Sequence, residues 1–236
     1  MKTESLINQP AQPSVVIDIL TANHYLKKAL SLLASEHTGT RVTFIAKEGG
    51  DIIHNNRAAV RLCLMDIDLI CSQRGRWGQL SERIKLADSV TFLSFSQLFL
   101  YGVPHLCVSG ALERIRETLD YLINNVKKNA STLSYRSLVS SLNAFEQNVF
   151  LLLMSGKKAQ KISHVLRMSD KLVYRTKSQL MKKFEANDRK DLHKLLNLGE
   201  FMQSHYHLRF RDENNPNRSD NIHLLSRAEV NDLSVH

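Results

Sequence analysis

The sequence predicts two domains of different class: an α/β amino-terminal domain with a doubly wound parallel sheet, and an all-α carboxyl-terminal domain with a helix-turn-helix. Three observations lead to this prediction. Short β-branched runs alternate with helical patterns over residues 14–126, and three closely spaced helical patterns follow within residues 142–192. A chain of 236 residues is also long enough for two modest domains. Strands that alternate with helices indicate a parallel sheet covered on both faces.

The amino-terminal domain is predicted to contain five strands and three helices. After an arm that we expect to be loose through Pro13, the strands fall at residues 14–20, 41–46, in V-R-L-C-L-M-D within residues 58–70, 90–95 and 105–109. The helices fall at residues 25–35, 79–86 and 112–126, the second of them with a weak pattern. β-Branched and aromatic residues favour the strands, whereas apolar residues three and four apart favour the helices.

The carboxyl-terminal domain is predicted to begin with two helices. In the first, apolar residues recur at helical spacing at Phe145, Val149, Leu152 and Leu153. Gly156 then supplies the stop that a residue of positive φ commonly makes. A shorter helix over residues 159–166 is expected to bury Ile162, Val165 and Leu166.

A third helix completes the motif. Ser169 is placed to cap it, and Val173, Leu180 and Phe184 fall at i, i+7 and i+11, so this stripe must face the first two helices. The side chains left outside are Lys171, Tyr174, Arg175, Lys177, Ser178 and Lys182. Two short helices joined by a tight turn, the second with a basic outer face, form a helix-turn-helix.

These residues resemble the LuxR/NarL/FixJ type of DNA-binding domain, and the match runs without a gap over about fifty residues. Identical or closely substituted positions are Leu142, Glu146, Val149, Leu152, Gly156, Ile162, Leu166, Ser169, Val173, Met181, Lys183 and Phe184. The chain departs from the family at Lys158, where a Ser or Thr cap is usual, at Leu172, where Thr is usual, and at Thr176, where His is usual. The lost cap should cost about 1 kcal/mol, although Lys158 could instead contact a phosphate.

The resemblance implies that the third helix reads the major groove of double-stranded DNA. Residues just after the family's conserved Val, and one turn further along, would reach the bases, which here means Tyr174, Arg175 and Ser178. The predicted DNA contacts are Lys158, Lys161, Lys171, Tyr174, Arg175, Lys177, Ser178 and Lys182. The family's fourth helix should continue through about Leu198 and supply a dimer contact.

Charge supports the same partner. The formal net charge is +9, and residues 142–192 hold eleven Lys and Arg against five Asp and Glu. Nucleic acid is the natural partner for this concentration of positive charge, and a membrane surface is the weaker alternative because no amphipathic helix accompanies it. The amino terminus has no apolar core for a signal peptide, and no stretch approaches a spanning helix, so we expect a cytoplasmic protein.

The amino-terminal domain resembles a response-regulator receiver, by order and spacing more than by identities. A working receiver needs an acidic pair for Mg²⁺ after strand one, a phosphoacceptor Asp after strand three, a hydroxyl after strand four and a Lys after strand five. Here those positions hold Thr21 with Ala22, Asp66, Ser94 and Ser109. Only Asp66 and Ser94 suit their roles, so the resemblance implies a degenerate receiver with Asp66 as a vestigial phosphoacceptor. We expect no metal, no cofactor and no catalytic residue.

Other polar or reactive residues have both a functional and a structural interpretation. Asp18 could be a displaced metal ligand or a mid-strand residue, and Asp66 with Asp68 forms a D-x-D that fits a strand-end loop better than a metal site. Trp77 could be a partner contact or a loop cover, and H-Y-H at 205–207 lacks a third ligand. Cys63, Cys71 and Cys107 form neither a C-x-x-C pair nor a zinc-ligand pattern, and two of them lie inside apolar runs, where Cys usually behaves as a small core residue.

The predicted organisation is a receiver-like domain at 14–126, a polar linker at 127–141, the DNA-binding domain at 142–200 and a disordered tail at 209–236. The chain is accordingly predicted to be a phosphorylation-independent transcription regulator. It would bind DNA as a homodimer or as a heterodimer with an intact response regulator. Two alternatives remain open: a protein that sequesters another regulator through its receiver-like domain, and a true phospho-switch that uses Asp66.

Overall fold

The computed structural model describes residues 15–37, 39–44, 60–126 and 134–206. Several predictions concern residues outside these ranges. They are the loose arm through Pro13, the strand residues 14 and 45–46, the first part of the linker at 127–133, and the tail at 209–236.

The amino-terminal half is built on a five-stranded parallel sheet with the strand order β2-β1-β3-β4-β5. The strands are β1 (Val15–Leu20), β2 (Thr40–Phe44), β3 (Val60–Asp66), β4 (Ser89–Ser94) and β5 (His105–Cys107). The central strands are buried over most of their length, as expected for a parallel sheet with both faces covered. The predicted fold class, a doubly wound parallel sheet followed by an all-α part, is confirmed.

The described residues of this half form four helices and one 3-10 turn. They are α1 (His24–Ser35), α2 (Ile67–Ser72), the 3-10 turn Arg74–Arg76, α3 (Trp77–Lys85) and α4 (Leu112–Asn124). Helices α1 and α4 cover one face of the sheet, where Leu30 and Leu119 meet Ile17 and Leu64 in an apolar cluster. Helices α2 and α3 cover the opposite face through residues such as Ile70 and Leu80.

The sequence placed the third strand in V-R-L-C-L-M-D, which is β3 (Val60–Asp66), but it did not predict helix α2, which follows directly. Strand β3 ends at Asp66, and Asp68 belongs to the first turn of α2, so the D-x-D does not lie in a strand-end loop. The helix begins here because the Asp66 carboxylate accepts a hydrogen bond from the Asp68 N–H and caps it. A short apolar run such as I-D-L-I fits a buried strand and a buried helix equally well.

The segment between β4 and β5, residues 95–104, contains no helix and is called here the 95–104 loop. It nevertheless contributes Leu98, Leu100 and Val103 to the core beneath the sheet. Gly102 has φ +58, and a Cβ there would lie 3.3 Å from the Ser137 carbonyl oxygen. The loop therefore approaches the carboxyl-terminal half closely.

The carboxyl-terminal half is entirely helical in its described residues. Its helices are α5 (Tyr135–Leu138), α6 (Ala144–Met154), α7 (Ala159–Val165), α8 (Asp170–Lys183) and α9 (Arg189–Tyr206). Helix α5 lies inside the predicted polar linker and buries Leu138 and Val139. Helix α9 is longer than predicted, because it continues past Leu198 to Tyr206.

One apolar cluster runs from the second face of the sheet into the helical half. Helix α9 contacts α2 and α3 on one side and α6 on the other. A Cβ at Gly199, in the middle of α9, would come within 3.0 Å of Phe150 on α6, so glycine permits this close approach. The two halves are thus packed on each other. No helix in the described ranges is both long and apolar enough to cross a membrane.

Candidate nucleic-acid interface

Helix α6 is fixed at its start by a reciprocal cap. The Asn143 side chain accepts from the Glu146 N–H at 2.9 Å, and the Glu146 carboxylate accepts from the Asn143 N–H at 2.9 Å. This capping box satisfies two helix-end donors at once. Its sequence signal, N-A-F-E, was available and was not used in the prediction.

The buried Glu146 also anchors the last turn of α8. Lys183 Nζ donates to Glu146 Oε2 at 2.7 Å and to the Ser141 carbonyl oxygen at 3.1 Å. Burial acts to raise the pKa of Glu146, but the hydrogen bonds from Lys183 and the Asn143 N–H outweigh it and lower the pKa. Lys183 therefore ties the end of α8 to the start of α6.

The stop and cap residues around α7 lie where the sequence predicted them. Gly156 has φ +75, and Lys158 occupies the first cap without a side-chain hydrogen bond. Ser169 caps α8 by accepting from the Leu172 N–H at 3.3 Å. Between α7 and α8, Arg167 has φ +51, a left-handed conformation that costs a residue with a Cβ about 1–3 kcal/mol.

Helix α8 divides into a buried stripe and an exposed face. Val173, Leu180 and Phe184 have no exposed surface, as predicted. Thr176, one of the departures from the family, joins the stripe with 1% exposure, and its hydroxyl donates to the Leu172 carbonyl oxygen. On α7, Ile162 is fully buried, whereas Val165 and Leu166 are only half-buried.

The predicted contact residues lie on the exposed sides of α7 and α8. Those fully on the surface are Lys158, Lys161, Lys171, Tyr174, Arg175, Ser178 and Lys182, and Lys177 is half-buried. In the described part of the chain, none of these cations pairs with an acidic side chain. Leu172 adds an apolar group with 41% exposure, which the sequence reading treated only as a departure. We call these nine side chains the α7–α8 face.

Polar groups on the α7–α8 face suit contacts to bases as well as to phosphates. Tyr174 is 57% exposed, and Ser178 donates its hydroxyl proton to the Tyr174 carbonyl oxygen at 3.1 Å. Ser178 therefore retains its oxygen lone pairs for an external donor. Arg175 carries five N–H donors in a planar fork, which suits two acceptors side by side.

The strand ends near Asp66 are the second place that the sequence singled out, as the position of a vestigial phosphoacceptor. Thr21, directly after β1, donates its hydroxyl to Asp66 Oδ2 at 2.6 Å, while Asp66 Oδ1 accepts from the Asp68 N–H at 2.9 Å. Asp66 is buried, and burial is the main reason that its pKa is raised. Both carboxylate oxygens are thus engaged by the protein itself.

The remaining receiver-like positions also make local contacts. Ser94 donates to the Ser96 carbonyl oxygen at 2.9 Å, and the Ser109 hydroxyl lies 3.2 Å from Cys107 Sγ. Asp18 lies within β1, with its carboxylate 3.9 Å from the Arg61 guanidinium. Among the residues that the structure describes, no three His, Cys, Asp or Glu side chains are gathered to hold a metal ion.

Trp77 and the cysteines take structural positions. Trp77 is buried and donates its indole N–H to the Ile70 carbonyl oxygen at 2.8 Å. Cys63 is buried, Cys71 and Cys107 are half-buried, and all three are free thiols.

Comparison with known proteins finds similarity among solved structures. No protein-family profile and no curated protein matches the chain. Full-length FixJ from B. japonicum is 15% identical, with 80% of this chain and 98% of that chain covered and a TM-score of 0.31. RcsB from Salmonella enterica serovar Typhimurium bound to promoter DNA is 15% identical, with 79% and 98% covered and a TM-score of 0.45. A structure of an RcsB–DNA complex is 15% identical, with 78% and 98% covered and a TM-score of 0.44.

Proposed function

We propose that this chain is a sequence-specific DNA-binding transcription regulator that acts without phosphorylation. The observation that carries the proposal is the α7–α8 face, where exposed cations and hydrogen-bonding side chains lie on one side of a helix whose other side is fully buried. A helix held in this way by a second short helix has the geometry with which helix-turn-helix domains enter the major groove.

Two kinds of contact are assigned within the α7–α8 face. Arg175 would donate a pair of hydrogen bonds to the O6 and N7 acceptors of guanine, and Tyr174 would contact a thymine methyl group or a phosphate. Ser178, one turn beyond Tyr174, would meet a base edge. The lysines would contact phosphates and set the register of the helix on the duplex, namely Lys158, Lys161, Lys171, Lys177 and Lys182.

The contacts of Asp66 support independence from phosphorylation. A working receiver holds Mg²⁺ between carboxylates, but here Thr21 occupies the adjacent strand end and donates to Asp66. A phosphoryl group at this buried position would add about two negative charges next to Asp68, and the Thr21 hydroxyl, unlike a carboxylate, would not hold a Mg²⁺ ion to offset them. A phospho-switch that uses Asp66 is therefore the weakest of the three functions considered.

The proposed active form is a homodimer, or a heterodimer with an intact response regulator, bound to adjacent half-sites of duplex DNA. A single small helix-turn-helix domain contacts few base pairs, and paired domains double the contacts. In this form the chain has a receiver-like domain at 14–126 and a DNA-binding domain at 142–200. We expect the protein to act in the cytoplasm, where its DNA is.

A second function, the sequestration of another regulator, has an observation of its own in its favour. Large apolar side chains are exposed on α1 and α4, where Tyr25 is 85% exposed, Leu32 60% and Tyr121 58%. Exposed aromatic residues are enriched where proteins bind one another. In this function the DNA contact would be incidental.

Binding assays with purified protein separate the two functions. Specific binding by the chain alone supports the homodimer, and specific binding only after addition of a response regulator supports the heterodimer. A chain that binds no sequence specifically under either condition, yet lowers the DNA occupancy of another regulator, would overturn the proposal in favour of sequestration. Mapping of bound sites across a genome, with and without candidate partners, would extend the same comparison to cells.

A further inference from the structure

We propose that α9 packs on α2 and α3 to form an intramolecular clasp, which fixes the helix-turn-helix on the sheet. Lys194 closes this clasp near Asp66, at the carboxyl end of β3. The clasp comprises Asp68, Arg74 and Trp77 on the sheet half, and Lys194, Asn197, Glu200 and Phe201 on α9. It is a property of the folded chain and does not depend on the proposed DNA binding.

The residues of α9 that form the clasp follow the helical period. Lys194, Asn197 and Phe201 are spaced by three and four residues, so they lie on one side of the helix. Phe201 is fully buried and meets the Trp77 ring edge to face, with ring centres 5.6 Å apart. This aromatic contact forms the apolar centre of the clasp.

Arg74 makes the polar contacts of the clasp, next to the Trp77–Phe201 pair. Its Nε donates to Asn197 Oδ1 at 2.7 Å, its Nη2 donates to the same oxygen, and Nη2 donates to Glu200 Oε2 at 2.8 Å. The guanidinium carbon also lies 5.6 Å from the centre of the Trp77 ring. Asn197 is completely buried, so its amide oxygen needs a hydrogen-bond donor, and Arg74 supplies that donor from the sheet half.

Lys194 joins α9 to the helix that Asp66 caps. Its Nζ lies 2.8 Å from Asp68 Oδ1, and its side chain is 21% exposed. Burial acts to lower the pKa of Lys194, but the hydrogen bond to Asp68 outweighs it and raises the pKa, so the ammonium group stays charged. A tethered cation from the helical half therefore lies at the carboxyl end of the sheet.

The 95–104 loop provides a second attachment on the same side. The Phe99 N–H donates to the Phe184 carbonyl oxygen at 2.9 Å, which satisfies an acceptor at the end of α8. The Tyr101 ring lies 6.1 Å from the ring of Phe184. The α7–α8 face stays exposed while both attachments are made, so the clasp and the proposed DNA contact do not compete for the same side chains.

Hydrogen exchange of the α9 amides in the full chain tests the clasp. Lys194→Gln and Asp68→Asn should each speed exchange in α9 about two- to fivefold, the range expected for one partly exposed ion pair. The double variant should exchange no faster than the faster single variant, because both changes remove the same contact. Lys194→Arg should restore protection, since it keeps the charge.

Two controls distinguish the clasp from a general loss of stability. Lys190→Gln removes an exposed charge from the same helix and should leave α9 exchange unchanged. Quenching of the single tryptophan, Trp77, by acrylamide should increase in Lys194→Gln and not in Lys190→Gln. Additive effects in the double variant, or equal effects of the Lys190 and Lys194 variants, would overturn the proposal. Binding to random duplex DNA, measured alongside, reports separately on the proposed function.

Discussion

The contact between Thr21 and Asp66 bears directly on the proposed independence from phosphorylation. A hydroxyl next to the strand end cannot replace a carboxylate as a ligand for Mg²⁺, and here it donates to Asp66 at 2.6 Å. Asp66 in turn caps α2, so the residue predicted as a vestigial phosphoacceptor has a structural task. Under the proposed function, this hydrogen bond takes the place of a metal contact, so the amino-terminal half would not act as a phosphorylation switch.

The contacts of Asp66 predict resistance to phosphorylation. Acetyl phosphate with Mg²⁺ should leave no phosphate on the protein, and Asp66→Asn should leave DNA affinity unchanged, because Thr21 stands where a carboxylate would hold the Mg²⁺ ion that offsets phosphoryl charge. Intact-mass spectrometry and an acid gel measure the first outcome, and a binding titration measures the second. An intact response regulator treated in parallel is the positive control. A phosphorylated peptide containing Asp66 would show that the degenerate-receiver interpretation is mistaken.

Arg175 carries the prediction for base recognition. Arg175→Ala should weaken binding to the best operator by about 1–3 kcal/mol and relax the preference at one base pair of each half-site. The loss on random DNA should be much smaller, and the domain should stay folded because Arg175 lies off the buried stripe. Titrations on operator variants measure the effect, with Arg114→Ala, an exposed arginine on α4, as the matched control. Equal losses on specific and random DNA would make Arg175 a phosphate contact instead.

At the scale of elements, α7 and α8 were predictable because their signals are local. A glycine stop, a serine cap and an apolar stripe of helical period all fall within residues 142–192. Helix α2 was missed because its short apolar run has no period that separates helix from strand. The Glu146–Lys183 pair was missed because its members are far apart in sequence and only the fold brings them to 2.7 Å. Local patterns give the elements, whereas the contacts between them depend on packing.

The exposed lysines of α7 and α8 predict a salt dependence. Lys161→Gln, Lys177→Gln and Lys182→Gln should each reduce the slope of log affinity against log salt by about 0.9, if each side chain neutralises one phosphate. Sequence preference should remain nearly unchanged, because phosphate contacts carry no base information. Titrations at several salt concentrations measure the slope, and Lys28→Gln on α1 should leave it unaltered. A changed preference with an unchanged slope would mean that the positioning residues are assigned wrongly.

The turn between α7 and α8 predicts an unusual tolerance for glycine. Arg167→Gly should leave the free energy of unfolding unchanged or raise it by up to about 1 kcal/mol, because glycine relieves the left-handed conformation at φ +51. Lys161→Gly, in the middle of α7, should instead lower it by about 1 kcal/mol. Denaturant unfolding of both variants supplies the comparison. A larger loss for Arg167→Gly than for Lys161→Gly would show that the Arg167 side chain makes contacts that outweigh the strain.

At the scale of the whole molecule, the halves share a core and are not simply joined by a linker. The sequence suggested a polar connection at 127–141, yet residues 134–141 include buried Leu138 and Val139, and α9 reaches back to α2 and α3. These contacts could not be predicted, since Asp68 and Lys194 are separated by most of the chain and neither has a distinctive sequence context. The separate classes of the two halves could be predicted, because each depends on its own periodicity.

The central claim is that the α7–α8 face reads a DNA sequence. Selection of bound duplexes from a random library by the purified chain, alone and with candidate response regulators, tests it most directly. We predict an enriched motif. In Arg175→Ala the base preference at one base pair of each half-site should be weaker. In Lys190→Ala, which removes an exposed cation outside α7 and α8, the motif should be unchanged. Recovery of duplexes with no enriched motif under either condition would contradict the account.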